Sequence, residues 1–223
     1  TMATLYVIAT PIGNLEDITV RAMNVLKNEV QHIFCEDTRV SGRLLAHYGI
    51  KLPTSSLHAH SGEFRYDKAI AMLEEGKTIA YMTDCGTPGI SDPGSRLVDQ
   101  ALKSGFTVTP LPGASAMSAL LSCCGFYGKR VIFAGFISKK PGRRIHELEE
   151  LKLFDGVIVI YESPHRILKT IEAIAQVFPD NQIAIGREMT KMYEQIVRGK
   201  AHEFNDSNLV QKGEFSIAID NNL

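Results

Sequence analysis

The chain has 223 residues, 44% hydrophobic and 22% charged, a globular balance that excludes a disordered chain and a coiled coil. Lys and Arg number 24 against 25 Asp and Glu, so the net charge of −1 excludes a basic coat over the whole surface, though not a local basic patch. The opening TMATLYVIATP lacks the basic start of a signal peptide, and Cys35, Cys85, Cys123 and Cys124 stand in no C-x-x-C spacing, so reduced thiols and a cytoplasmic setting are expected.

In chain order, Tyr6–Ala9 reads as a buried strand and Ile18–Val30 as a helix, because Ala22, Val25, Leu26 and Val30 recur near helical spacing behind a cap at Asp17 or Thr19. His32–Cys35 is a strand, Thr38–His47 a helix, and Glu63–Gly76 a helix ended by its glycine. Thr78–Thr83 is a strand, Ser95–Ser104 a helix, Thr107–Leu111 a strand and Ala114–Cys124 a helix of small residues. The second half repeats the theme, with strands at 131–135, 156–161, 183–186, 194–198 and 215–219, and helices at 143–153 and 166–178 and near 201–204. Strands alternating with helices predict an α/β protein, parallel at first and mixed later. The punctuation around Pro112-Gly113 and Gly125–Gly128 places a boundary there, giving two α/β domains at 1–115 and 116–223.

The most informative segment is Thr83-Asp-Cys-Gly-Thr-Pro-Gly-Ile-Ser-Asp-Pro-Gly94, set between a strand and a helix, where open α/β sheets bind ligands. Its glycines allow close backbone approach, its prolines stiffen it, and Asp84 and Asp92 are acceptors suited to ribose hydroxyls or an amino group. No G-x-G-x-x-G occurs in the chain, and the Lys-Ser/Thr pair of a phosphate-binding loop is missing after Gly94. A purely structural turn is the plainer alternative.

Asp84–Gly94 resembles the signature loop of the tetrapyrrole-methylase superfamily, the class III S-adenosylmethionine-dependent methyltransferases. Ala9-Thr-Pro-Ile-Gly-Asn-Leu-Glu-Asp-Ile-Thr19, Cys35-Glu-Asp-Thr-Arg39, Tyr161-Glu-Ser-Pro-His-Arg166 and Arg187-Glu-Met-Thr-Lys191 resemble one branch of it, the ribosomal RNA small-subunit methyltransferase I family. The resemblance implies a tetrapyrrole-methylase-like fold of two α/β domains with the cofactor in a cleft between them, S-adenosylmethionine as that cofactor, a homodimer, and 2′-O-methylation of a cytidine of 16S rRNA. It carries cofactor contacts onto Pro11, Asp84, Gly86, Thr87, Gly89, Ile90, Ser115 and Ala116, and onto Tyr161, Glu188 and Glu214 in the second domain. Members of that family usually continue beyond the last strand, whereas this sequence stops at Leu223.

A ribose hydroxyl is a poor nucleophile, and a general base contributes roughly 10²–10⁴-fold to such a transfer. The candidates are Glu36, Asp37 and His165, with Arg39 set to hold a phosphate or to pair with Asp37. The plainer alternatives are a helix-capping Asp37–Arg39 pair and a helix-start histidine. Residues 100–146 hold seven Lys and Arg and no acid, and Lys139-Lys-Pro-Gly-Arg-Arg144 reads as a mobile basic loop that binds RNA through Lys139, Lys140, Arg143 and Arg144. Phe126, Tyr127 and Phe136 are candidate stacking surfaces for a splayed base. His58-Ala-His60 lacks a third ligand nearby, so no metal is expected. The competing functions are a C-methyltransferase acting on a tetrapyrrole precursor and a non-catalytic RNA-binding or ribosome-assembly module.

Overall fold

In the computed structural model, which describes residues 3–58, 62–90 and 92–223, the apolar runs and amphipathic segments become ten strands and seven α-helices among the described residues. By internal contact the chain divides into two compact units, Thr1–Ser115 and Ala116–Leu223.

The first unit runs β1 (Thr4–Ile8), α1 (Val20–Asn28), β2 (His32–Cys35), α2 (Thr38–His47), β3 (Thr54–Ser56), α3 (Glu63–Glu74), β4 (Ile79–Met82), α4 (Gly94–Lys103) and β5 (Thr107–Leu111). Its sheet has the order β3-β2-β4-β1-β5 and is parallel throughout, with Ile8 level with Met82 and Leu111. Strands β2 and β4 are buried at every position, as expected for a sheet covered on both faces. On one face Val25 and Leu26 of α1 and Leu44 and Leu45 of α2 pack over Ile8, Ile33 and Met82. On the other, Tyr66, Ala69 and Leu73 of α3 and Leu97 and Ala101 of α4 pack over Leu5, Phe34 and Tyr81. Burying each of the Val, Leu, Ile, Phe and Met side chains among them contributes about 1.5–3 kcal/mol. The helix α1 starts where its cap was expected, the Thr19 hydroxyl accepting from the Ala22 amide at 3.0 Å.

This topology fixes where a ligand can sit. The neighbours β1 and β4 send their helices to opposite faces, α1 to one and α4 to the other, so the loops beyond their carboxyl ends splay apart. Such a switch point opens a crevice.

The second unit runs α5 (Ala116–Cys124), β6 (Val131–Gly135), α6 (Pro141–Lys152), β7 (Gly156–Glu162), α7 (Ile167–Val177), β8 (Gln182–Arg187), β9 (Gln195–Lys200) and β10 (Phe215–Asn221). Its sheet, β6-β7-β10-β8-β9, is mixed, with only β6 and β7 parallel. Leu148 of α6 and Ile167, Ile171 and Ile174 of α7 share one core with Ile158, Ile185 and Ile217, while α5 lies against β8 and β10.

Two elements differ from the sequence reading. β3, built from Thr54, Ser55 and Ser56, has no apolar run to announce it. Helix α6 begins at Pro141, so Pro141–Arg144 forms helix and not a mobile basic loop. Proline is suited to a first helical turn because its missing N–H has no partner there in any case. Among the described residues no helix is long and apolar enough to cross a membrane.

Candidate active site

The crevice between β1 and β4 is closed at its base by main chain. The Thr10 amide donates to the Gly86 carbonyl at 3.0 Å and the Gly86 amide returns to Thr10 at 3.1 Å. The Thr83 hydroxyl donates to the same Gly86 carbonyl at 2.8 Å, and the Thr10 hydroxyl to the Thr83 carbonyl at 3.2 Å. Thr10 and Thr83 stand in the segments the sequence points to but carry no role there, since a threonine at a strand end carries no signal of its partner. Gly86 has φ +86° and Gly89 φ +91°, where a side chain is strained. Neither is crowded, the nearest atom to a Cβ at Gly86 being the Ile12 methyl at 3.4 Å, so backbone conformation alone demands glycine there. The loop after β5 lies alongside. Thr87 donates to the Ala114 carbonyl at 2.9 Å, and a Cβ on Gly113 would meet Ala9 at 2.8 Å.

Four carboxylates gather at this edge, and they differ in what holds them. Asp92 is spent on its own loop, its oxygens accepting from the amides of Gly89, Ile90 and Gly94. Asp37 caps α2 by accepting from the Arg39 amide at 2.8 Å, and it takes the Arg39 guanidinium on both oxygens at 2.5 to 3.1 Å. The hydrogen bonds from the Arg39 side chain and then its amide hold the Asp37 carboxyl down at about 2. Asp84 accepts from the Asp37 amide at 2.9 Å, and Glu36 from the Asp84 amide at 3.2 Å. Burial pushes both carboxyls up, and the neighbouring acids add to it, Asp84 and Asp92 on Glu36 and Asp37 on Asp84. Beneath them the Tyr81 hydroxyl is buried, and burial together with the facing Asp92 and Glu36 carboxylates pushes its pKa well up.

The donor set therefore suits a cation bearing hydroxyls. Two carboxylates raised by burial and by neighbouring acids gain from a positive ligand, and a polyphosphate would be repelled. Glycine turns that present main chain are compatible with a nucleoside. S-Adenosylmethionine, a sulfonium with an amino group and a ribose, has that chemistry. Pro11, Asp84, Gly86, Thr87, Gly89, Ile90 and Ser115 all lie on the loops at this edge.

Ala116, Tyr161, Glu188 and Glu214 belong to the second unit. The Tyr161 hydroxyl accepts from the Met117 amide at 2.9 Å, and its ring meets Phe133 and Phe136 edge-on. Glu188 stands at φ +49° and accepts from the Glu214 amide at 2.8 Å and from Lys191 at 3.1 Å, while Lys191 also reaches Glu214 at 2.8 Å. Burial opposes the Glu188 charge, but that amide and the Lys191 ammonium outweigh it and hold its carboxyl below the usual range. Lys191 stood in a quoted motif without a role, and the structure makes it the hub of this pair. His165 is exposed in the turn before α7, and the buried Glu162 there pairs with Arg166 at 2.7 Å.

The basic segment is less available than its composition suggests. Arg144 is buried, donating to the Ser138 carbonyl at 3.1 Å and the Lys139 carbonyl at 3.0 Å, and Arg143 pairs with Glu147 at 3.1 Å. Lys139 and Lys140 are exposed. Tyr127 and Phe136 are exposed as well, and Phe126 lies under the Arg198 guanidinium. His60 lies outside the described residues, among which no three metal-ligating side chains converge.

Comparison with known proteins places this arrangement. The family model for Tetrapyrrole (Corrin/Porphyrin) Methylases matches residues 4–205. The protein named ribosomal RNA small subunit methyltransferase I from Leptospira biflexa is 41% identical over 95% of this chain and 88% of its own length. Its namesake from Borrelia garinii is 43% identical over 96% and 97%, and that from Bacillus subtilis 40% identical over 98% and 75%. Among solved structures, a cobalt precorrin-4 methyltransferase of cobalamin biosynthesis superposes with a TM-score of 0.73 at 18% identity, covering 96% of this chain and 94% of that one, a likeness of fold. With these matches, the chain belongs to the ribosomal RNA small subunit methyltransferase I family of tetrapyrrole methylases, S-adenosylmethionine-dependent methyltransferases.

Proposed function

We propose that the protein methylates the ribose 2′-hydroxyl of a cytidine in 16S rRNA of the small ribosomal subunit, as a cytoplasmic homodimer acting on the rRNA or on the subunit. The observation that carries this reading is the pair of burial-raised carboxyls, Glu36 and Asp84, beside a glycine turn at the sheet's switch point, with the Arg39 side chain turned outward at 85% exposure. The names of the relatives support the RNA substrate.

S-Adenosylmethionine supplies an electrophilic methyl group on a positively charged sulfur. Asp84, with the main chain of Gly86, Thr87, Gly89 and Ile90, binds and orients the donor, and Tyr161, Glu188 and Glu214 are further contacts in the same reading. Much of the rate comes from alignment, since transfer is an in-line displacement with a neutral leaving group. Of the three candidate bases, Asp37 is the poorest proton acceptor, held at about 2 by Arg39. Glu36, raised by burial, is the better proton acceptor of the two carboxylates. Asp37 and Arg39 then act as a positioning pair, the guanidinium presented to a phosphate.

Transfer of tritiated methyl from S-adenosylmethionine to isolated small subunits, followed by mapping of the marked nucleotide, tests the reading. Glu36→Gln is expected to lower turnover about 10²–10⁴-fold while donor binding, read by calorimetry, is retained. Asp84→Asn is expected to weaken donor binding itself. A mark on a base or on a small tetrapyrrole in place of a ribose, or full turnover by Glu36→Gln, overturns it.

A further inference from the structure

A second concavity lies on the same carboxyl edge, one strand outward from the carboxylates. It is a groove of about 510 Å³ at the ends of β2 and β3, floored by Phe34 and walled by Thr38, Ser55, Phe64, Arg65 and Lys68. No motif of the sequence reading falls on its Phe64, Arg65 or Lys68, and the site described above uses none of them.

Three features set the groove apart from an ordinary surface dent. Phe64 is 80% exposed on the first turn of α3, whose core face is Tyr66, Ala69 and Leu73. A lone exposed phenylalanine is unremarkable, but this one stands among cations and hydroxyls. The Arg65 guanidinium is set in place by the Ser56 carbonyl at 2.7 Å and by the Ser56 hydroxyl, both through Nη1. Lys68 leans on the Ser55 hydroxyl at 3.3 Å, and that hydroxyl is fixed from below by His32 at 2.9 Å. Burial and the neighbouring Lys68 and Lys77 hold the His32 ring below its usual pKa, so it adds no positive charge of its own. Glu63, the acid beside Phe64, is turned away to Arg96 at 2.7 Å. Thr38 joins the groove to the site, following directly on Asp37. β3 stands two strands from β4, about 10 Å at ordinary strand spacing, the reach of a nucleotide or two.

We propose that this groove is a docking subsite for a single-stranded RNA nucleotide flanking the one that receives the methyl group. The base stacks on Phe64, and its phosphate is held by Arg65 and Lys68, with Arg39 bridging toward the acceptor. The inference rests on the functional reading above. It assigns a sequence-tolerant clamp, because stacking on a phenyl face accepts any base and the cations read only the backbone.

Binding of a fluorescent single-stranded RNA spanning the modified position, followed by anisotropy across a potassium chloride series, tests it in the full chain. Phe64→Ala is expected to bind RNA about 5- to 150-fold more weakly, the range for losing one stacked base. Lys68→Gln is expected to reduce the salt slope by roughly 0.7, one phosphate contact on a single strand. Both variants should keep wild-type S-adenosylmethionine binding by calorimetry, and Phe64→Ala should raise KM for rRNA with kcat little changed. Phe64 and Lys68 are exposed, so neither change should disturb folding. Wild-type RNA affinity and KM in Phe64→Ala, or an unchanged salt slope in Lys68→Gln, overturns the subsite. Failure of the wild-type protein to methylate small subunits overturns instead the functional reading beneath it.

Discussion

Asp37 is committed before any substrate arrives. Its oxygens close the first turn of α2 and grip Arg39, and its amide is given to Asp84. Because the folded carboxyl titrates near 2 and an unfolded aspartate near 3.9, the pair's contribution to stability is complete above the unfolded value and disappears as pH falls toward 2. Urea unfolding of the wild type and Arg39→Ala should therefore show a stability gap that is constant above about pH 4 and closes between there and pH 2; a gap that widens on acidification contradicts this account. Asp92 is committed differently, to three amides of its own loop. Asp92→Ala leaves those donors without their acceptor and is expected to cost about 1–3 kcal/mol together with weaker donor binding, measured by thermal melts and calorimetry with S-adenosylmethionine.

At the scale of elements, what the sequence discloses depends on where the partners are. Strands β4 and β7 are legible because burial leaves apolar runs, Ile79–Met82 and Val157–Ile160. The loop between β4 and α4 is legible because positive φ at Gly86 and Gly89 can be read from glycine itself. β3 is not, since three hydroxyl residues become a strand only by pairing with β2. Arg144 is not, since its partners are main-chain carbonyls that every residue carries. The division of labour among Glu36, Asp37, Asp84 and Asp92 is equally invisible, because four acids look alike until the fold decides which amides each one meets. The turn from Arg187 to Lys191 shows the reverse dependence. Gly213, at φ +89°, leaves the space that the Glu188 carboxylate fills. Gly213→Ala drives a methyl into that carboxylate and is expected to destabilise by about 1–3 kcal/mol, read as a lower urea midpoint with an unchanged slope.

Across the whole molecule the two units differ in construction. The first has a parallel sheet with a core on each face, whereas the second has a mixed sheet with a large core under α6 and α7. Each owns its core, so residues 1–115 and 116–223, made separately, are expected to give cooperative unfolding transitions by circular dichroism. A half that melts without cooperativity would show that its core borrows from the other. The basic stretch between positions 100 and 146 is likewise tempered by acids outside it, Lys103 by Asp99, Arg130 by Asp155 and Arg143 by Glu147. The seat of β1 has a further consequence. It lies between β4 and β5, with Leu5 opposite Ile79 and Val108, so β1 waits for the last two strands of its sheet in chain order. During translation an apolar ribbon emerges long before either flank exists, and closure of that half is delayed until Leu111 has cleared the exit tunnel. The nascent chain thus spends its most exposed moments beside the very particle whose RNA its family modifies.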